Sequence, residues 1–123
     1  EIVAEIQVES KTYDLKNFSK FAGDDPQILK KFILSFIDSN RHNLNLLEQH
    51  FADQDDYALA DVAHKMKNTY GQLEAQEIMK RIIVLENPLN KISAKRKKET
   101  IKEIKELSDE LFEHLKEDLE NVA

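Results

Sequence analysis

From residue 26 onward, apolar residues recur along this chain at intervals of three and four. Leu29, Phe32, Ile33, Phe36 and Ile37, then Leu44, Leu47 and Phe51, form one stripe, with a single polar interval over 39–43. That spacing belongs to an amphipathic helix with one side turned to a core, and it predicts a helix over about 26–52. A shorter stretch ahead of it carries Leu15, Phe18 and Phe21 or Ala22 in the same rhythm. Gly23 fits the position just past a helix end. Asp24 or Asp25 then fits an N-cap, with Pro26 in the first turn. Residues 53–56, DQDD, read as a turn and a cap before a third helix from 57 to about 70 or a little beyond. A fourth covers about 75–87, with Ile78, Ile82 and Leu85 inward, and Asn87-Pro88 ends it. Ser93 fits the cap of a last helix, in which Ile101, Ile104, Leu107 or Ser108, Leu111, Leu115 and Leu119 line one side.

Four long amphipathic helices with short connections predict an all-α, up-and-down four-helix bundle, with a short extra helix at its N-terminal side. Residues 1–12 leave no room for a folded unit and read as a linker or docking tail, so the bundle domain is expected over 13–123. The chain begins with Glu1 rather than methionine, as expected of a piece of something longer.

Composition narrows the function classes. The 123 residues suit one domain with one core. Two glycines and two prolines are too few for the turns of an all-β fold. The absence of cysteine removes disulfides and thiolate metal sites. No apolar run approaches the ~20 residues of a membrane span, and no stretch reads as a signal peptide with a basic start and an apolar centre. A net charge of −6 argues against a nucleic-acid partner. Lys95, Arg96, Lys97 and Lys98 crowd the start of the last helix and acids its end, against the helix dipole. These charges read as a solvated face, with a basic patch for an acidic partner as the other reading.

On a helical wheel of the third helix, Leu59, Val62, Ala63, Met66, Tyr70 and Leu73 fall within about 60° of one direction. His64 lies about 140° from the centre of that face and so points to solvent or a shallow groove. Lys67 lies one turn along and about 60° round, close enough to share a target. The neighbours of His64 on the wheel are Ala60 and Gly71, then Tyr57 and Asn68. Gly71 costs about 1 kcal/mol relative to alanine in a helix. Its expected return is an imidazole left open to another molecule. A neutral imidazole is a good nucleophile, and a nearby ammonium steadies the oxygens of an anionic group after transfer. Phosphoryl transfer fits that pair.

His64-Lys65-Met66-Lys67, with Gly71, Leu73 and Ala75 after it, resembles the signature of histidine-containing phosphotransfer (HPt) domains, of the form H-x-[LM]-K-G followed by small residues and a Gly-Ala pair. The stretch YDLKNFSKFAGDDPQILKKFILSFID, the acidic turn DQDD, the approach LADVAHKMK and the later VLE are similar to the family as well. The resemblance covers roughly residues 13–120. It implies a four-helix bundle that takes a phosphoryl group from a receiver-domain aspartate onto His64 and passes it to another receiver. Lys67 would be the phosphate-facing cation. Ala60, Asn68, Gly71 and Tyr57 would face the partner, and Glu86 or Gln76 would orient the imidazole. No cofactor is implied, and Mg²⁺ is expected only in the partner receiver. The module is expected to be monomeric, to take no small-molecule substrate, and to lie in the cytoplasm, as the C-terminal part of a hybrid sensor histidine kinase. Whether such a carrier counts as an enzyme is left open by the resemblance. The sequence departs from the signature twice: Asn68 stands at the usual glycine after the lysine, and Glu74 at the glycine of the Gly-Ala pair.

The other constellations have plain readings. His42, His50 and His114 sit among polar residues. Asp61-x-x-His64 lacks the second such pair a di-iron bundle needs, so no metal site is expected. The Phe stripe of the second helix reads as core packing. A module that only docks receivers or other proteins, without phosphorylation, is the alternative reading, and a purely structural bundle is a third.

Overall fold

The computed structural model describes residues 13–89 and 91–121; the tail expected over 1–12 lies outside the described residues. Among the described residues five α-helices follow one another: α1 (Lys16–Phe21), α2 (Pro26–Ala52), α3 (Asp56–Gln72), α4 (Gln76–Glu86) and α5 (Ala94–Asn121). The described residues contain no strand. α2 packs on α3, α3 on α4, α4 on α5, and α5 closes the ring against α2, with α1 laid on α2. This is the up-and-down bundle with an extra first helix.

The helix ends lie where the capping chemistry puts them. Asp25 caps α2 by accepting from the Gln27 amide at 2.9 Å, and Pro26 follows at the first position. Asp55 caps α3 by accepting from the Ala58 amide at 3.0 Å. Ser93 accepts from the Arg96 amide at 3.1 Å at the start of α5. Gly23 takes a φ of 59°, the left-handed backbone that ends α1. Glu74 takes a φ of 54° just past α3, although it is not glycine. The missing glycine of the Gly-Ala pair is therefore a position with a backbone need, and Glu74 meets it at a cost of about 1–2 kcal/mol.

The core is built from the stripes read in the sequence. Ile33, Phe36, Ile37, Leu44 and Leu47 of α2 are buried with Leu59, Val62, Ala63, Met66 and Tyr70 of α3. The Phe36 ring meets those of Phe18, Tyr70 and Phe112 edge-on, at centroid distances of 6.0, 5.1 and 6.1 Å. Phe112 is fully buried beside the α5 stripe and does not follow its main spacing.

Polar contacts also lie inside. The polar interval of α2 holds Asn40, which is 1% exposed. Its amide donates to the Phe36 carbonyl at 3.0 Å and to Thr69 Oγ1 at 3.3 Å. Tyr70 Oη and Ser108 Oγ are 2.7 Å apart, tying α3 to α5. Burial pushes the Tyr70 hydroxyl above the usual tyrosine range, so it stays protonated and can serve in this bond.

The Phe stripe differs in part from its reading as core packing. Phe36 is buried, but Phe32 is 36% exposed and Phe21 66% exposed. With Ser35, Ser39 and Gln72 these two rings line a groove of about 390 Å³ between α1, α2 and α3. The stripe is wider than the strip of α2 that α3 and α5 can cover, so its outer edge stays open.

Candidate functional site

α3 and α4 are joined by a connection of three residues, 73–75, and run antiparallel. Along this pair Gly71 comes against Met79, and seven residues back His64 comes against Glu86. Glu86 is the last residue of α4, so the negative end of that helix dipole and a carboxylate point at the same place. Lys67, about 60° round α3 from His64, falls on the α4 side.

One carboxylate oxygen holds both. His64 Nδ1 lies 2.5 Å from Glu86 Oε2. Lys67 Nζ lies 2.5 Å from the same oxygen. An ionised carboxylate only accepts hydrogen bonds, so the ring donates from Nδ1, and in its neutral form it has its lone pair on Nε2. The His64 side chain is 57% exposed, against 22% for Glu86 and 29% for Lys67. Nε2 is on the far side of the ring from Glu86. The bond to Lys67, and after it the bond to His64, hold the Glu86 carboxyl below the usual glutamate range, so it stays ionised at neutral pH. Beside this cluster Lys65 is tied to Asp61 at 3.4 Å.

The expected neighbours of His64 divide. Tyr57 is 69% exposed and Asn68 is exposed, both on the His64 side of α3. Ala60 departs from the expectation of a partner-facing residue: it is 5% exposed. Its position, about 40° from His64 toward α4 and the core, leaves its methyl covered. Gly71 departs from the expectation as well. That side of α3 faces α4: a Cβ there would make an ordinary contact with Met79 Cε at 3.5 Å, so the position has room for a methyl group and faces the neighbouring helix rather than open solvent. It lies about 10 Å along the helix from His64, too far for the imidazole's openness to depend on it alone.

Of the two candidates for the imidazole partner, Glu86 makes the contact and Gln76 does not. Gln76 opens α4 at its other end, about 15 Å along the axis from Glu86. The sharing of Glu86 between ring and ammonium was not legible in the sequence. Lys67, expected as the phosphate-facing cation, is paired with Glu86 in this structure. Among the described residues, no group of three or more histidine and acidic side chains could hold a metal ion.

Comparison with known families settles the relationship. The family model of the Hpt domain matches residues 31–123, three quarters of the chain. The chain belongs to the Hpt domain family. No curated protein and no solved structure matches it. An Hpt domain is a histidine phosphotransfer carrier of phosphorelays and interacts with receiver domains, and the all-helical bundle found here is its fold. The match starts inside α2 and includes all of α3, α4 and α5, and so every residue of the His64 cluster. No helix of this Hpt domain is long and apolar enough to cross a membrane among the described residues.

Proposed function

We propose that His64 is the residue that carries the phosphoryl group, taken from the aspartyl phosphate of one receiver domain and handed to the aspartate of another. The observation that carries this reading is the contact between His64 Nδ1 and Glu86, which commits Nδ1 as donor on an exposed ring and leaves the Nε2 lone pair directed outward. Among the described residues His64 is the histidine with a ring nitrogen at hydrogen-bonding distance from a carboxylate; His114 lies 3.8 Å from Glu117.

The chemistry follows from that tautomer. Nε2 attacks the phosphorus of the aspartyl phosphate, the P–O bond breaks, and the aspartate leaves as a carboxylate. The ring gains a positive charge as the N–P bond forms, and Glu86 lies against it. The Lys67 ammonium, tethered to Glu86, is close enough to turn toward the phosphoryl oxygens. Onward transfer runs the same steps in reverse on a second receiver. Mg²⁺ would belong to the receiver. Tyr57 and Asn68 flank the exposed ring and would meet the partner.

The resemblance to the C-terminal module of a hybrid sensor histidine kinase supports a place in such a parent chain, at the cytoplasmic side of the membrane. Phosphorylating the domain from a labelled receiver and mapping the acid-labile label tests the reading. Label on His64 supports it; label on another residue, or binding to the receiver without label, overturns it. The second outcome would assign the domain to docking alone.

A further inference from the structure

We propose that the groove between α2 and α5 is a docking site for an acidic amphipathic helix of a partner protein. The proposal stands on residues away from His64 and does not depend on the reading of that histidine as the carrier.

The basic run at the start of α5 divides in the structure. Lys97 Nζ lies 2.9 Å from Asp56 Oδ1, and its side chain is only 17% exposed, so it fastens the start of α5 to the start of α3. Lys98 instead lines a groove of about 350 Å³, together with Lys102 and Lys105 of α5 and Glu48 and Phe51 of α2. Ile101 completes the lining. The three lysines recur at i, i+4 and i+7, within about 60° of one another round α5, and so form one stripe about 10 Å long. All three are exposed. Lys105 is paired with Glu48 at 3.2 Å. Lys98 and Lys102 make no ion pair among the described residues.

This arrangement costs the bundle stability and returns none within it. Cations near the N-terminal end of α5 oppose its dipole. Like charges one turn apart on the same side of a helix repel each other. The floor between the lysines is apolar, and Phe51 in it is only partly buried. A ligand that joins negative charge to an apolar side chain relieves both costs. A helix laid lengthwise in the trough, with a carboxylate on each turn, would meet the lysine stripe, and an apolar side chain between the carboxylates would enter the slot over Phe51 and Ile101.

Other anionic partners fit less well. Glu48, Glu99 and Glu106 are exposed beside the stripe, so a broad anionic lipid surface would be repelled at its rim. The net charge of −6 argues in the same way against nucleic acid. A second copy of this chain could bring Glu110, Glu113 and Glu117 of its own α5, but the apolar residues of that helix are buried in its own core.

The groove also lies apart from the His64 cluster. α2 and α5 close the ring of helices opposite α3 and α4, whose shared side holds His64 and Glu86. A helix seated between α2 and α5 leaves that side open, so this partner and a receiver can be bound together.

The test titrates the nitrogen-15-labelled chain with a synthetic helical peptide that carries glutamate at i, i+4 and i+7 and leucine between them, and follows the backbone amides by NMR. The amides of Phe51, Ile101 and Lys102 are expected to shift, with binding that weakens as salt is raised. In Lys98→Glu/Lys102→Glu, with the fold checked by circular dichroism, the Kd is expected to rise about tenfold or more. A peptide with glutamine in place of the glutamates gives a second reading that needs no variant, and it is expected to bind the unaltered chain about tenfold more weakly. Shifts confined to other helices, an unchanged Kd in the double variant, or equal binding of the glutamine peptide overturns the proposal. Two further outcomes overturn it by assigning the groove elsewhere: preference for phosphatidylserine vesicles over the peptide would assign it to a membrane, and self-association in sedimentation that the double variant loses would assign it to a second copy.

Discussion

Lys67 Nζ and His64 Nδ1 converge on a single oxygen, Oε2 of Glu86, at 2.5 Å each. The cation next to the histidine is therefore engaged before any phosphoryl group arrives. Its help to a phosphoryl group is the difference between two anionic partners rather than a full new ion pair, and at a partly exposed site that difference is worth about 1 kcal/mol. Lys67→Ala is expected to slow transfer from a receiver about fivefold without abolishing it, since ~1.4 kcal/mol would be tenfold in rate. Radiolabel transfer kinetics check this, with circular dichroism to show that the bundle is intact.

The same cluster gives a pH dependence with a definite sign. The folded Glu86 carboxyl lies below the usual glutamate range, first because of Lys67 and then because of His64. A depressed carboxyl contributes stability that is complete above the unfolded value of about 4.3 and is lost as pH falls through the folded value. Thermal melts between neutral pH and about pH 3 are expected to show a shallower acid loss in Glu86→Gln than in the unaltered domain.

Glu74 offers a gain. Its φ of 54° is a conformation that glycine adopts freely and glutamate does not. Glu74→Gly is expected to stabilise the domain by ~1 kcal/mol, the strain relieved being partly offset by glycine's greater freedom when unfolded. Thermal melts would show a rise of ~3–5 °C.

Gly71 separates packing from access. A Cβ there would make an ordinary contact with Met79 at 3.5 Å, and its backbone is not left-handed. Gly71→Ala is expected to stabilise the domain by up to ~1 kcal/mol through helix propensity. Labelling by phosphoramidate should be unchanged. A slower rate with a receiver alone would show that the partner reaches this turn; equal rates with both donors would confine the glycine to the α3–α4 contact.

Much of this domain was legible along the chain because its local signals agree with its packing. α2 runs over the residues its spacing and caps mark out, and α3 buries the side its wheel predicts. What escaped lies between helices. Asn40 reads as a break in an apolar stripe, yet it is buried because Thr69 on α3 supplies a partner. Ala60 reads as an open neighbour of His64, yet α3 is turned far enough to cover it. Glu86 and Gln76 could not be separated in sequence, because the choice depends on the register of α3 against α4. That register becomes visible only when Gly71 meets Met79 and His64 meets Glu86.

His64→Gln is the most direct measurement of the central claim. Its side chain is 57% exposed, so the variant should fold with a stability change within about 0.5 kcal/mol. Incubated with a phosphorylated receiver, the unaltered domain is expected to take up acid-labile label and His64→Gln to take up none. A folded His64→Gln domain that still accepts acid-labile label from the receiver would contradict the account.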